Sequence, residues 1–102
     1  MIDREVGDRW GIAFALEGVA AVEAAFGSWL HAARTWGAAE RLREEIGAPL
    51  PPNERPRYDR RVAVVRAALR DDAAFTRAWQ QGRALTIEQA IALALSETVE
   101  QP

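Results

Sequence analysis

The sequence predicts an all-α fold, a helical hairpin followed by three shorter helices that cap it, built as a single domain of 102 residues. Three observations carry that expectation. Alanine, the strongest helix former, fills 21 positions against 7 glycines. Apolar residues recur at i, i+3, i+4 and i+7, the period of a helix with one buried face. Strand signals are missing: no run alternates β-branched with polar residues, and no Asn-Gly or Asp-Gly pair marks a tight turn.

After a disordered or partly ordered segment at 1–7, the hairpin is expected over 8–46. Its first helix runs from Asp8, whose carboxylate can cap the open amides of the first turn, to Phe26. Ile12, Leu16, Val19 and Phe26 form the inward stripe, widened by Ala13, Ala20 and Val22. Gly11 and Gly18 inside this helix each cost about 1 kcal/mol against alanine, which close approach of a neighbouring helix would explain. Gly27 stops the helix, and Ser28 caps a second one from Trp29 to Ile46. There Ala32, Trp36 and Ala39 share a face that Leu42 and Ile46 continue, and Arg41 and Glu45 pair on the wet side.

Gly47 ends the hairpin, and three prolines make 47–52 a rigid connector. From 53 to 100 three helices follow. Asn53 is placed to cap the first of them, with Pro56 tolerated in its opening turn, and Tyr58, Val62, Val65 and Leu69 recur at i, i+4, i+7 and i+11. Asp71 and Asp72 open the next, which buries Phe75, Ala78 and Trp79, runs to Gln81 and stops at Gly82. Thr86 and Gln89 make a capping box for the last helix, expected to turn Ile87, Ile91, Ala94, Leu95 and Val99 inward.

Composition also excludes function classes. With no cysteine there is no thiolate nucleophile and no cysteine metal site, and with no lysine a phosphate-binding Gly-x4-Gly-Lys-[Ser/Thr] loop cannot be built. The one histidine, His31, has Ser28 nearby but no orienting carboxylate in sequence, and Ser28 is better explained as a cap. The acidic pairs Glu44-Glu45 and Asp71-Asp72 point about 100° apart on a helix, so neither converges on a cation. A net charge of −2 argues against a dedicated nucleic-acid binder. No apolar run reaches the roughly 18 residues that span a bilayer, and Met1-Ile2-Asp3-Arg4-Glu5 lacks the order of a signal peptide. The expectation is a cytoplasmic, non-catalytic domain without cofactor or metal.

The first two helices carry a repeat-like spacing. Ala32-x3-Trp36-x2-Ala39 after the Gly27 turn follows the small-and-large pattern of a tetratricopeptide hairpin, with tryptophan in place of the usual phenylalanine. Wider blocks point the same way: Trp36-Gly37-Ala38-Ala39-Glu40-Arg41-Leu42-Arg43-Glu44, then Ile46-Gly47-Ala48-Pro49-Leu50-Pro51-Pro52, then Ala74-Phe75-x3-Trp79-x2-Gly82-Arg83-Ala84-Leu85-Thr86 and Glu88-Gln89-Ala90-Ile91-Ala92-Leu93-Ala94. In order and spacing these resemble the C-terminal tetratricopeptide-like helical region of large bacterial ATP-dependent regulators of the LuxR type. The resemblance implies a scaffold or protein–protein interaction role inside a transcriptional regulator, either as an excised C-terminal fragment or as a stand-alone product. The residues that would carry nucleotide hydrolysis or DNA binding in that family have no counterpart in this sequence.

Two groups of surface residues are candidates for contact. Trp10, Phe14 and Trp29 are aromatics expected near the open side of the hairpin, where a preceding repeat, another protein or a second copy could dock. The third helix holds Arg57 and Arg61, and Arg66 and Arg70, each pair at i,i+4, as a basic ridge. The ridge fits an acidic protein surface better than DNA; a nucleic-acid-binding or small-ligand-sensing role on this ridge is the competing expectation.

Overall fold

The computed structural model describes the backbone of residues 4–99 and the side chains of residues 8–95. Five helices follow one another: α1 (Arg4–Ala25), α2 (Trp29–Ile46), α3 (Arg55–Leu69), α4 (Asp72–Arg83) and α5 (Ile87–Val99). There is no strand among the described residues, so the all-α class and the number of helices are as the periodicity predicts.

α2 is the hub. α1 packs along one side of it and α4 along the other, while α3 and α5 close the remaining flanks. A single apolar stripe could not serve so many neighbours, and α2 does not have one: Ala32, Ala33, Thr35, Trp36, Gly37, Ala38, Ala39, Leu42 and Arg43 are all buried. Small side chains let helix backbones approach from several directions, and Trp36 fills the space between them, its ring 6.1 Å from Tyr58 and 6.4 Å from Trp79. One core cluster gathers around Trp36, Val65, Phe75 and Ala78, and a second around Leu16, Ala39, Ala90 and Ala94.

The α1–α2 turn closes as a Schellman motif. Gly27 has φ +82°, the Gly27 amide donates to the Ala24 carbonyl (3.1 Å), and the Ser28 amide donates to the Glu23 carbonyl (2.9 Å). Gly47 ends α2 the same way, with φ +65° and the Ala48 amide donating to the Arg43 carbonyl at 3.0 Å. Asp71 caps α4 by accepting the Ala74 amide (3.0 Å), and Thr86 with Gln89 forms the reciprocal capping box of α5 at 2.9 and 3.1 Å.

Several local expectations are corrected. α1 begins at Arg4, so Asp8 stands inside the helix rather than capping it, and residues 1–3 lie outside the described chain. Ser28 occupies the N-cap position of α2 without a side-chain hydrogen bond, because its backbone closes the Schellman turn instead. Asn53 sits one residue before Glu54, the N-cap of α3, which makes no side-chain cap bond either. Phe26 is 82% exposed and Val22 faces solvent, since the inward stripe of α1 runs through Ala13, Leu16 and Ala20. In α5 the alanines Ala90 and Ala94 face inward and Ile91 and Leu95 face out, because only small residues fit against α2. Val99's side chain is outside the described ones.

The largest correction concerns glycine. Gly11 and Gly18 have open space where a Cβ would stand. The close approach lies elsewhere, at the α2–α4 crossing. A Cβ on Gly37 would sit 2.2 Å from the Trp79 carbonyl oxygen, and one on Gly82 would sit 1.9 Å from that of Arg34. Gly82 is therefore not a stop signal but a contact point within α4, which continues to Arg83. α3 in turn ends without glycine, on Arg70 at φ +59°.

Candidate interaction surface

A lattice of buried and half-buried charges fastens α1, α2 and α4 together and shapes the surface beside them. Arg43 grips Glu17 of α1 through Nε and Nη2 (Nη2 to Oε1 2.9 Å) and donates through Nη1 to the Ala48 carbonyl at 3.0 Å. Donating to the Glu17 carboxylate holds the guanidinium above its ordinary pKa despite burial. Arg83 of α4 reaches back to α2, bonding Glu44 at 2.7 and 3.0 Å and Glu40 at 2.8 Å, while Trp79 Nε1 donates to Glu40 at 2.9 Å. Glu44 is correspondingly held below the usual carboxylate range by Arg83.

These pairs border a cleft of about 260 Å³ between α1, the end of α2, the proline connector and the start of α3. Tyr58 stands in its wall, its hydroxyl pushed well above the ordinary value by burial and then by the Glu40 and Glu17 carboxylates. The lining holds no serine, threonine or histidine side chain to act as nucleophile or base. Arg43 and Arg83 already occupy the Glu17, Glu40 and Glu44 carboxylates. Among the described residues no group of three or more His, Asp or Glu side chains is placed to hold a metal ion. His31 is half-buried on α2, outside this cleft.

A second groove, about 230 Å³, adjoins the first and shares Glu17, Leu50 and Tyr58 with it. Phe14 and Gly18 form its α1 side, and Arg57 and Arg61 its α3 side. One aromatic candidate, Phe14, and two of the four arginines, Arg57 and Arg61, meet here, together with Glu54. α3 turns Tyr58, Val62, Val65 and Leu69 toward the core, which sets Arg57 and Arg61 on the groove edge. Both arginines are exposed and neither has a carboxylate partner among the described residues. On the α1 side Trp10 and Phe14 stack with centroids 5.6 Å apart, 45% and 54% exposed.

The remaining candidates do not join this surface. Trp29 is half-buried against the core cluster around Trp36. Arg66 is engaged: its Nε bonds Asp72 at 3.1 Å and its guanidinium lies 5.0 Å over the Phe75 ring. Arg70 supplies the left-handed cap of α3. Within the basic ridge the Arg66 side chain is thus engaged, while Arg70 contributes its backbone to the cap. The buried Glu17–Arg43 pair has only one sequence signal, the register of Arg43, four residues after Ala39 and seven after Trp36 on the buried face.

No helix among the described residues is long and apolar enough to cross a membrane. No protein-family model matches the chain, and comparisons with curated proteins and with solved structures give no match.

Proposed function

We propose that this chain is a non-catalytic helical interaction or scaffold domain, the C-terminal part of a bacterial transcriptional regulator, whose α1–α3 groove takes an acidic segment of a partner protein. One observation carries the reading: exposed Phe14, with Trp10 stacked on it, lines a single groove with exposed Arg57 and Arg61, which have no carboxylate partner among the described residues. Aromatic rings and arginine are the side chains that dominate binding energy at protein interfaces, and the guanidinium fork pairs with carboxylates in two-point geometry. The resemblance of Trp36–Glu44 and Ile46–Pro52 to helical regions of large regulators supports the regulatory setting.

The competing roles have less to stand on. At about 230 and 260 Å³ the two grooves fall below the roughly 300–1,000 Å³ of small-molecule sites. A duplex would need a long basic track, and Arg66 is engaged by Asp72 and the Phe75 ring.

The test is fluorescence anisotropy with a labelled helix-forming peptide that carries Glu at one face and Leu and Phe at the other. Binding is expected, with a loss of about 10-fold or more for Arg57→Glu with Arg61→Glu, equivalent to about 1.4 kcal/mol, and an unchanged melting curve. A peptide with Gln for every Glu should bind more weakly. Equal binding of both peptides, or binding of a DNA duplex in preference at about 200 mM salt, would overturn the proposal.

A further inference from the structure

Most of the charges that line the two adjoining grooves are matched inside the chain. Glu17 is paired with Arg43, Glu40 and Glu44 with Arg83, and Arg55 with Asp59 at 3.2 Å. Three are left over: Glu54, Arg57 and Arg61. All three are exposed, and none makes an ion pair or side-chain hydrogen bond among the described residues. Arg43 feels the Glu54 charge across space, but its guanidinium is taken by Glu17 and the Ala48 carbonyl.

The three leftover charges form a row. Glu54 already has helical backbone angles, φ −98° and ψ −17°, and its carbonyl accepts the Tyr58 amide at 3.1 Å, so it shares the register of α3. At about 100° per residue, Glu54, Arg57 and Arg61 fall within about 60° of one another around the axis. Along the axis the steps are about 4.5 Å from Glu54 to Arg57 and about 6 Å from Arg57 to Arg61. The row therefore reads minus, plus, plus with unequal steps, beside an uncharged wall of Phe14, Gly18 and Leu50.

Those steps select the shape of what binds. Same-side residues of an extended strand recur every ~6.7 Å, which comes near the longer step and misses the shorter. A helix sets residues i, i+4 and i+7 on one face at steps of about 6 and then about 4.5 Å, so a helix laid antiparallel to α3 meets both. Complementary charge then fixes its order as acid, acid, base. That order agrees with the partner helix's own dipole, which favours acids toward the N-terminus and bases toward the C-terminus, whereas a parallel helix would have to carry its base first. We infer that the partner segment is a helix antiparallel to α3, with acidic residues at i and i+4 on Arg61 and Arg57 and a basic residue at i+7 on Glu54, which makes Glu54 a specificity-determining residue. This rests on the α1–α3 groove being the partner site, and adds to it the partner's shape, its direction and one cation.

The experiment is fluorescence anisotropy on the full chain at low ionic strength, with three labelled helix-forming peptides that share one apolar face. The first carries Glu, Glu and Lys at i, i+4 and i+7, and the second has Glu in place of that Lys. The third carries Lys, Glu and Glu at i, i+3 and i+7, the order a parallel helix would use. Wild type should bind the first about 5-fold more tightly than either of the others, the swing from attraction to repulsion at an exposed pair. Glu54→Gln should bring the first and second peptides within about 2-fold of each other, and Glu54→Lys should reverse their order. Both variants should keep the wild-type helicity, because the Glu54 side chain makes no cap bond. Equal binding of the first two peptides by wild type, or the wild-type order kept by Glu54→Lys, overturns the role of Glu54. Binding of the third as tight as the first overturns the direction. If Arg57→Glu with Arg61→Glu still abolishes binding in those cases, the groove stands as the partner site and only this occupant falls. Binding of no peptide at all overturns both.

Discussion

Gly82→Ala tests the packing around α2 most sharply, because it adds a single methyl group where the structure leaves no room. The new Cβ would stand 1.9 Å from the Arg34 carbonyl oxygen and 2.7 Å from its carbonyl carbon, against a floor near 3.0 Å for real contacts. α2 and α4 must therefore separate by about 1 Å along that line. A gap of that size forfeits about a quarter to a half of the dispersion attraction across it. The side chains that depend on the crossing include Trp36 and Phe75, each worth about 3–5 kcal/mol on full truncation. Loosening both costs roughly 2–4 kcal/mol, offset by the gain of about 1 kcal/mol that alanine has over glycine within a helix. The net loss is about 2 kcal/mol, or roughly 8–16 °C in Tm for a domain of this size. Circular dichroism melts in dilute solution measure it, with Gly11→Ala as the control. That site is open, so alanine there should raise Tm by roughly 4–8 °C for its gain of about 1 kcal/mol. Gly82→Ala melting at or above wild type would refute the close crossing.

Other expectations follow from the same contacts. Arg43→Ala leaves Glu17 without its cation at a site where the two side chains are 6% and 15% exposed, and should cost about 3–5 kcal/mol by urea denaturation; Glu17→Leu with Arg43→Met together should recover most of that loss. A single-variant loss below about 1 kcal/mol would contradict a buried pair. Trp36→Ala should destabilise by about 3–5 kcal/mol, and a variant with unchanged melting would contradict the placement of Trp36 at the centre of the core. Tyr58, the one tyrosine, is raised above its ordinary value of 10.0 by burial. The unfolded chain ionises near that value while the folded chain stays protonated, so stability is full below pH 10.0 and falls as pH rises beyond it. Ultraviolet difference absorbance should show phenolate only as the helices melt; ionisation of the folded protein near pH 10.0 would contradict the burial.

The five helices were legible because each has a local signal: the glycine turns at Gly27 and Gly47, the Asp71 cap, the Thr86–Gln89 box and the spacing from Tyr58 to Leu69. What was not legible is which faces meet. Period 3.6 assigns Phe26 and Leu95 to an inward stripe, yet both are exposed, because neighbouring helices chose the alanine faces where backbones come closer. Gly82 reads as punctuation from sequence, and only the position of Arg34, 48 positions earlier, reveals a steric role. The groove was half legible. Phe14 and the pair Arg57 and Arg61 stand out as surface residues, but their meeting depends on how α3 returns across α1 after the proline connector. Arg66 carries the same sequence signal as Arg57 and Arg61, and its partner Asp72 is set by the α3–α4 turn.

The measurement that bears most directly on the account is an amide chemical-shift titration of the isotope-labelled chain with the acidic amphipathic peptide. The account predicts saturable shifts at Gly18, Leu50, Arg57, Tyr58 and Arg61, the groove between α1 and α3, with the α4–α5 turn unmoved. Shifts centred on any other part of the surface, or none up to millimolar peptide, where binding is worth only about 4 kcal/mol, would contradict it.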